Sequence, residues 1–114
     1  MAKKIVNIDG VDYQPVQEID GDKVIVRSRD SGVHFGTLVA RNGNEVTLAD
    51  SRRIWYWRGA ATLSELATAG VTEPGKCKFT VRLPSLTVLG VCEVIPCTKT
   101  AVKCIEEVPE WKVQ

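Results

Sequence analysis

The chain has 114 residues, of which 44% are hydrophobic, 25% charged and 6% aromatic, with a formal net charge of +1. That length suits a single domain with one ordinary core, and the composition excludes a disordered tail, a collagen and a coiled coil. No apolar run approaches the ~20 residues of a membrane helix, and the Lys3-Lys4 start meets Asp9 and Asp12 too soon for a signal-peptide core. A cytoplasmic protein without a membrane partner is expected, and near-neutral charge argues against coating of nucleic acid.

The first half reads as a β-meander. Lys3–Ile8 and Val11–Val16 form a hairpin about Asp9-Gly10, with Pro15 shortening the return strand. Asp20-Gly21-Asp22 reads as a turn. Lys23–Arg29 then alternates, Val24, Val26 and Ser28 on one side and Ile25, Arg27 and Arg29 on the other. Asp30-Ser31-Gly32 breaks the strand. Val33–Arg41 follows, with Gly36 marking a bulge or a close backbone approach, and Asn42-Gly43-Asn44 turns the chain into Glu45–Leu48. In the next strand, Arg52–Trp57, alternation puts Arg53, Trp55 and Trp57 on one face and Arg52, Ile54 and Tyr56 on the other.

The pattern then changes. Thr62-Leu63-Ser64-Glu65 is a capping box, predicting a helix over Leu63–Ala69 that ends at Gly70. Phe79–Leu83 and Thr87–Ile95 read as strands, Pro96 stops the second, and Thr98 caps a last helix running to Glu107. Its apolar stripe is Ala101, Cys104, Ile105 and Val108. The fold class predicted is α+β: a β-rich antiparallel meander or sheet body, one short inserted helix and a C-terminal helix.

Chemistry is sparse. Cys77, Cys92, Cys97 and Cys104 are separated by fourteen, four and six residues, with no CxxC pair, so neither a zinc site nor a disulfide framework is expected; buried apolar thiols are. The single histidine, His34, is read as a polar core or turn residue. No GxSxG, Walker loop or GxGxxG is present, so an enzyme is not expected, nor any cofactor or metal.

The arginines are more informative. All seven lie between Arg27 and Arg82, and six of them (Arg27, Arg29, Arg41, Arg52, Arg53, Arg58) fall in a stretch with no lysine. Guanidinium matches phosphate with a planar fork of donors and also stacks on a base. Phe35, Trp55, Tyr56 and Trp57 interleave with these charges, the combination a nucleotide pocket needs. The structural alternative is equally specific: Trp55 and Trp57 as core anchors, Arg53 laid along them, and Phe79 in the core because it alternates with Val81. Lys99, Lys103, Thr98 and Thr100 crowd the start of the last helix, which suits an anion, while ordinary capping accounts equally for Thr98.

Ser31-Gly32-Val33-His34-Phe35-Gly36-Thr37-Leu38, Arg52-Arg53-Ile54-Trp55-Tyr56-Trp57, Gly59-Ala60-Ala61-Thr62-Leu63-Ser64-Glu65-Leu66-Ala67, Glu93-Val94-Ile95-Pro96-Cys97-Thr98 and Val108-Pro109-Glu110-Trp111 together carry a resemblance. The chain resembles, over about residues 23–112, small proteins of tailed phages and prophages, and within them the first type of Thoeris anti-defence sponge proteins. The resemblance implies a non-enzymatic protein that binds cyclic nucleotide immune signals (cyclic ADP-ribose isomers, and cyclic oligonucleotides at separate positions) without cleaving them. It also implies a homo-oligomer, a hexamer in that family, with pockets at subunit interfaces. Arg27, Arg53 and Phe79 are the residues it singles out for the ligand, beside Thr98 and Lys103 at the last helix. The arginine expected on that helix is absent; Lys103 is the nearest basic residue, and an ammonium does not stack as a guanidinium does. A small virion or assembly protein is the competing reading, since β-rich domains with exposed aromatics suit oligomeric interfaces.

Overall fold

The computed structural model describes Val6–Ile8, Val11–Tyr13 and residues 18–113. Strands β1 (Val6–Ile8) and β2 (Val11–Tyr13) pair antiparallel as a separate two-stranded ribbon. The outer ends of the expected first hairpin, and its Asp9-Gly10 turn, lie outside the described residues. The body is a six-stranded antiparallel sheet built from β3 (Ile19–Ser28), β4 (Gly32–Asn42), β5 (Glu45–Tyr56), β6 (Lys78–Phe79), β7 (Leu83–Val88) and β8 (Val91–Thr98). Helices α1 (Leu63–Ala69) and α2 (Lys99–Glu107) complete it, so the fold is α+β with a β-rich body.

The strand order rolls the sheet. β8, β3, β4 and β5 lie side by side, and the far edge of β5 pairs with β7 along its first half and β6 along its second. β7 and β8 therefore stand on opposite edges, yet only Leu89 and Gly90 separate them. In a flat sheet these edges would be about 19 Å apart, four spacings of ~4.8 Å. Three peptide steps reach at most about 11 Å. The sheet must curl until its edges approach, and Val91 N–H, donating to Asn44 O at 2.9 Å, pins the closed corner.

Rolling gives the sheet two dry faces. Inside the roll sit Val24, Val26, Val46, Leu48, Val88 and Val91. On the outer face Ile25, Phe35, Ile54 and Phe79 pack under Leu66 and Ala67 of α1 and Ala101, Val102 and Ile105 of α2. Val24-Ile25-Val26 feeds both cores, which is why that run is apolar throughout. The sequence alternation had grouped Ile25 with Arg27 and Arg29; β3 is covered on both sides near its middle and on one only at its end.

Both helices start where the capping residues put them. Thr62 Oγ1 accepts from Glu65 N–H at 3.1 Å, and Glu65 Oε1 accepts from Ala61 N–H at 2.7 Å, one residue earlier than an ideal box. Gly70 ends α1 at φ +79°, a conformation few side chains tolerate. Several strand boundaries depart from expectation. Asp20-Gly21-Asp22 is a bulge inside β3, Gly21 at φ +39°, because the register against β8 shifts between Ile19 and Val24. Glu45–Leu48 and Arg52–Trp57 merge into β5, the break absorbed by Asp50 at φ +49°. Thr87–Ile95 is cut by the Leu89-Gly90 corner, with Gly90 at φ +65°. No helix among the described residues is long and apolar enough to cross a membrane.

Candidate ligand cavity at the end of the rolled sheet

Alternation along β5 separates Arg52 and Ile54, which are buried, from Arg53 and Trp55, which are exposed; it ends there, since Tyr56, expected on the face of Arg52 and Ile54, is 45% exposed and Trp57, just past the strand, is half-buried against the outer-face core. Arg53, Trp55 and Trp57 line an open cavity of about 510 Å³, within the range of small-molecule sites. The β3–β4 turn, Asp30-Ser31-Gly32, lines the same cavity beside Arg53. Trp57 is fixed by its indole N–H, which donates to Ala60 O at 3.1 Å. Trp55 is 60% exposed and meets Trp111 edge-on, ring centroids 6.1 Å apart. The cavity thus combines one guanidinium, one carboxylate, a glycine-containing turn and two indole rings.

The turn is held from beneath. Ser28 Oγ accepts from Ser31 N–H at 3.3 Å and donates to Leu89 O at 2.8 Å, tying the turn to the closed corner. His34 stands across β4–β5 from Arg53. Its Nε2 lies 2.8 Å from Ser31 O, and Arg53 Nη1 lies 3.4 Å from the same oxygen. A carbonyl can only accept, so His34 carries its proton on Nε2 and Nδ1 is the bare nitrogen. That Nδ1 has no partner, like Ser51 Oγ. Burial, with Arg53 nearby, pushes the His34 pKa below the usual imidazole value. His34 is a buried turn-holding residue, as its sequence context implied.

The other sequence-predicted residues are not gathered here. Arg27, on β3, is exposed and bound to Glu93 of β8 at 2.5 Å, the contact that also raises its pKa. Phe79 is 0% exposed, in the outer-face core beneath the Arg52 guanidinium, whose carbon lies 5.5 Å from the ring centroid. Phe79 does not line the cavity: β6 pairs it with Ile54 of β5, which carries it into the outer-face core, while Val81, two residues on, is 40% exposed. Thr98 serves as the N-cap of α2, the capping role its sequence context offered. Its hydroxyl accepts from Ala101 N–H at 3.1 Å and donates to Thr68 O at 2.6 Å, joining the start of α2 to the end of α1. Lys99 pairs with Glu18 at 2.9 Å. Lys103 lies on a separate, smaller depression of about 310 Å³ with Thr100 and Glu107.

Two features were not legible beforehand. Asp30, Ser31 and Gly32 read only as a strand breaker; they became a cavity wall because β4 pairs with β5 and brings the turn beside Arg53. Arg52 was grouped with the nucleotide-binding arginines, yet it is the largest fully buried side chain among the described residues. Its donors are used on main-chain carbonyls: Thr80 at 3.1 Å, Ile105 at 2.8 Å, Phe79 at 3.1 Å and Pro109 at 3.4 Å. The signal lay in its parity with Ile54, which marks the inward face.

All four cysteines are free; Cys77 and Cys97 are buried, Cys104 is partly so, and Cys92 is exposed, contrary to the expectation of four buried thiols. Among the described residues no group of three or more His, Cys, Asp or Glu side chains is placed to hold a metal ion.

Residues 21–105 match the family described as "Domain of unknown function (DUF6948)", and the chain belongs to that family. The matched span covers all but the first two residues of β3 and the last two of α2, so the family unit is the rolled sheet with both helices. No curated protein and no solved structure matches the chain.

Proposed function

We propose that this protein is a non-enzymatic phage anti-defence module that takes up a cyclic nucleotide immune signal in the host cytoplasm and holds it uncleaved, as its likeness to the Thoeris sponges implies. The observation that supports this reading is the cavity lined by Arg53, Trp55 and Trp57: a phosphate-matching guanidinium beside two flat rings, in a space of nucleotide size. Sequestration needs only mass action. Nanomolar binding corresponds to about −12 kcal/mol, and a homo-oligomer, a hexamer by resemblance, would raise retention by closing the open side of the cavity with a second copy. Charge near Arg53 favours capture of an anion at low salt.

The test is uptake and release. Incubation with a cyclic ADP-ribose isomer should deplete the free compound, and boiling the protein should return it unchanged. Release of a cleaved product would make the protein an enzyme, and a panel of cyclic nucleotides left wholly free would end the reading. The second reading, a virion or assembly subunit, draws on a different observation. Trp55, Tyr56, Val81, Leu83 and Trp111 are each at least 40% exposed, more large apolar surface than a solitary small domain usually shows. Presence of the protein in purified particles, with Trp111 protected from solvent, would favour it.

A further inference from the structure

We infer that the C-terminal segment following α2 is a brace for the cavity, and that Trp111 is a positioning residue acting through Trp55; this rests on the ligand-binding reading above and names what holds that site in shape. Residues 108–113 leave α2 and run beside β6. Glu110 bridges parallel to Phe79, and Trp111 N–H donates to Phe79 O at 2.9 Å. Arg82 fastens the same stretch. Its main-chain N–H donates to Glu110 Oε2 at 3.2 Å, and its Nη1 lies 3.5 Å from that oxygen. Its Nη2 donates to Glu106 O, in the last turn of α2, at 2.7 Å. Arg52 reaches Pro109 O at 3.4 Å. The segment is thus placed by directional bonds along its length.

The indole presented by this frame has two partners. The Lys78 ammonium lies 5.2 Å from its ring centroid, inside the range of a cation–π contact. Trp55 meets it at 6.1 Å with an interplanar angle of 66°, the edge-to-face arrangement that aromatic pairs favour. Trp57 is held from its own loop by Ala60 O, whereas Trp55 is 60% exposed and leans on Trp111. Trp55 lines the cavity and Trp111 does not, so the segment sets the position of a wall without touching what the wall encloses. A ring already immobilised costs less to order when a ligand arrives. The coupling is reciprocal: a ligand seated against Trp55 steadies Trp111 in turn.

The experiment is fluorine NMR of the full chain labelled with fluorotryptophan, beside calorimetry with a cyclic ADP-ribose isomer. The Trp55 resonance is assigned by its loss in Trp55→Phe. In Trp111→Leu it should move towards its position in the unfolded chain, while the Trp57 resonance stays where it is and so reports an intact fold. Affinity should fall about three- to tenfold, the scale of one side chain that must be immobilised on binding. Trp111→Phe keeps an edge for Trp55 to meet and should restore most of both readings. In the wild-type chain, added ligand should slow hydrogen exchange at the Trp111 amide. A Trp55 resonance unmoved by Trp111→Leu, or a moved resonance with unchanged affinity, would overturn the brace. If no cyclic nucleotide binds the wild-type chain, the sponge reading falls and the Trp55 resonance alone decides the brace.

Discussion

The guanidinium of Arg52, in the middle of β5, donates to the main-chain carbonyl of Ile105 in the last turn of α2, 2.8 Å away. The carbonyl end of a helix is where the backbone dipole is negative and acceptors are unsatisfied, so a cation there is favourable twice over. Burial lowers the Arg52 pKa, but an arginine starts so high that the group stays charged. Further bonds to Phe79, Thr80 and Pro109 carbonyls make one side chain the junction of β5, β6 and the C-terminal segment. The charge that looked available for phosphate is used to hold the outer-face core together.

Arg52→Ala should therefore destabilise the protein by at least about 3 kcal/mol, since it strands several buried carbonyls and leaves a cavity. Arg52→Lys should recover only a minor part, because a single ammonium cannot reach acceptors spread around a planar fork. Urea unfolding midpoints measure both. A loss under 1 kcal/mol for the alanine variant would mean that the C-terminal segment is held by other contacts.

Gly70→Ala and Gly90→Ala form a matched pair. Both glycines have positive φ, +79° and +65°. A methyl at Gly70 would stand 2.5 Å from Cys104 Cβ, whereas at Gly90 the nearest atom is Ser28 Oγ at 3.8 Å. Gly90→Ala should cost only the backbone term, about 1–2 kcal/mol. Gly70→Ala should cost clearly more, because α1 and α2 must part to admit it. Equal thermal shifts would refute the close approach of the two helices.

Acid should weaken the fold through His34. Its folded-state pKa is depressed, so the unfolded chain binds the proton more readily. Stability is then full above the unfolded value, about 6.5, and declines as pH falls below it, by at most about 1.4 kcal/mol per unit while only the unfolded state is protonated. His34→Gln, which keeps an amide donor for Ser31, should flatten stability between pH 7 and pH 5 relative to the wild type. An unchanged slope would place the acid sensitivity on other groups.

Thiol labelling should rank the cysteines by burial. Cys92 is exposed and should react first with iodoacetamide under native conditions; Cys97, whose pKa burial pushes up to about 12, should react only on unfolding. Burial raises the Cys77 pKa as well, so it should lag too. Mass spectrometry of timed digests gives the order, and early modification of Cys97 would contradict its place in the core.

Arg53→Ala should weaken ligand binding without unfolding the chain, because Arg53 is exposed and lines the cavity. Arg27→Ala should have a smaller effect, since Arg27 is engaged with Glu93 and does not line that cavity. Calorimetry against the same cyclic nucleotide compares them. Equal losses would require a site that spans two copies of the chain.

Local signals in the chain were strong where the physics is local. Thr62 and Thr98 mark both helix starts because a hydroxyl acts on amides three residues away. The parity of Arg53, Trp55 and Trp57 against Arg52 and Ile54 follows from the pleat alone. Gly36 does mark a close approach: a Cβ there would lie 3.1 Å from Ala49 O. The readings that failed depended on partners distant in the chain. Asp20-Gly21-Asp22 has turn composition but is drawn into β3 by pairing with β8, and the aspartate and glycine signals cannot tell a bulge from a turn.

The amino-acid sequence by itself thus determined the α+β class, both helices and the two faces of β5, because each is set by interactions within a few residues. Only the tertiary structure decided which face of β5 is interior, which took the core among the readings open for Phe79 and Arg52, that Arg53 faces a cavity and Arg27 a carboxylate, and that the Asp30–Gly32 turn lines that same cavity. Those outcomes follow from how the sheet rolls about the Leu89-Gly90 corner, and that closure brings together strands far apart in the chain, which no short-range pattern encodes.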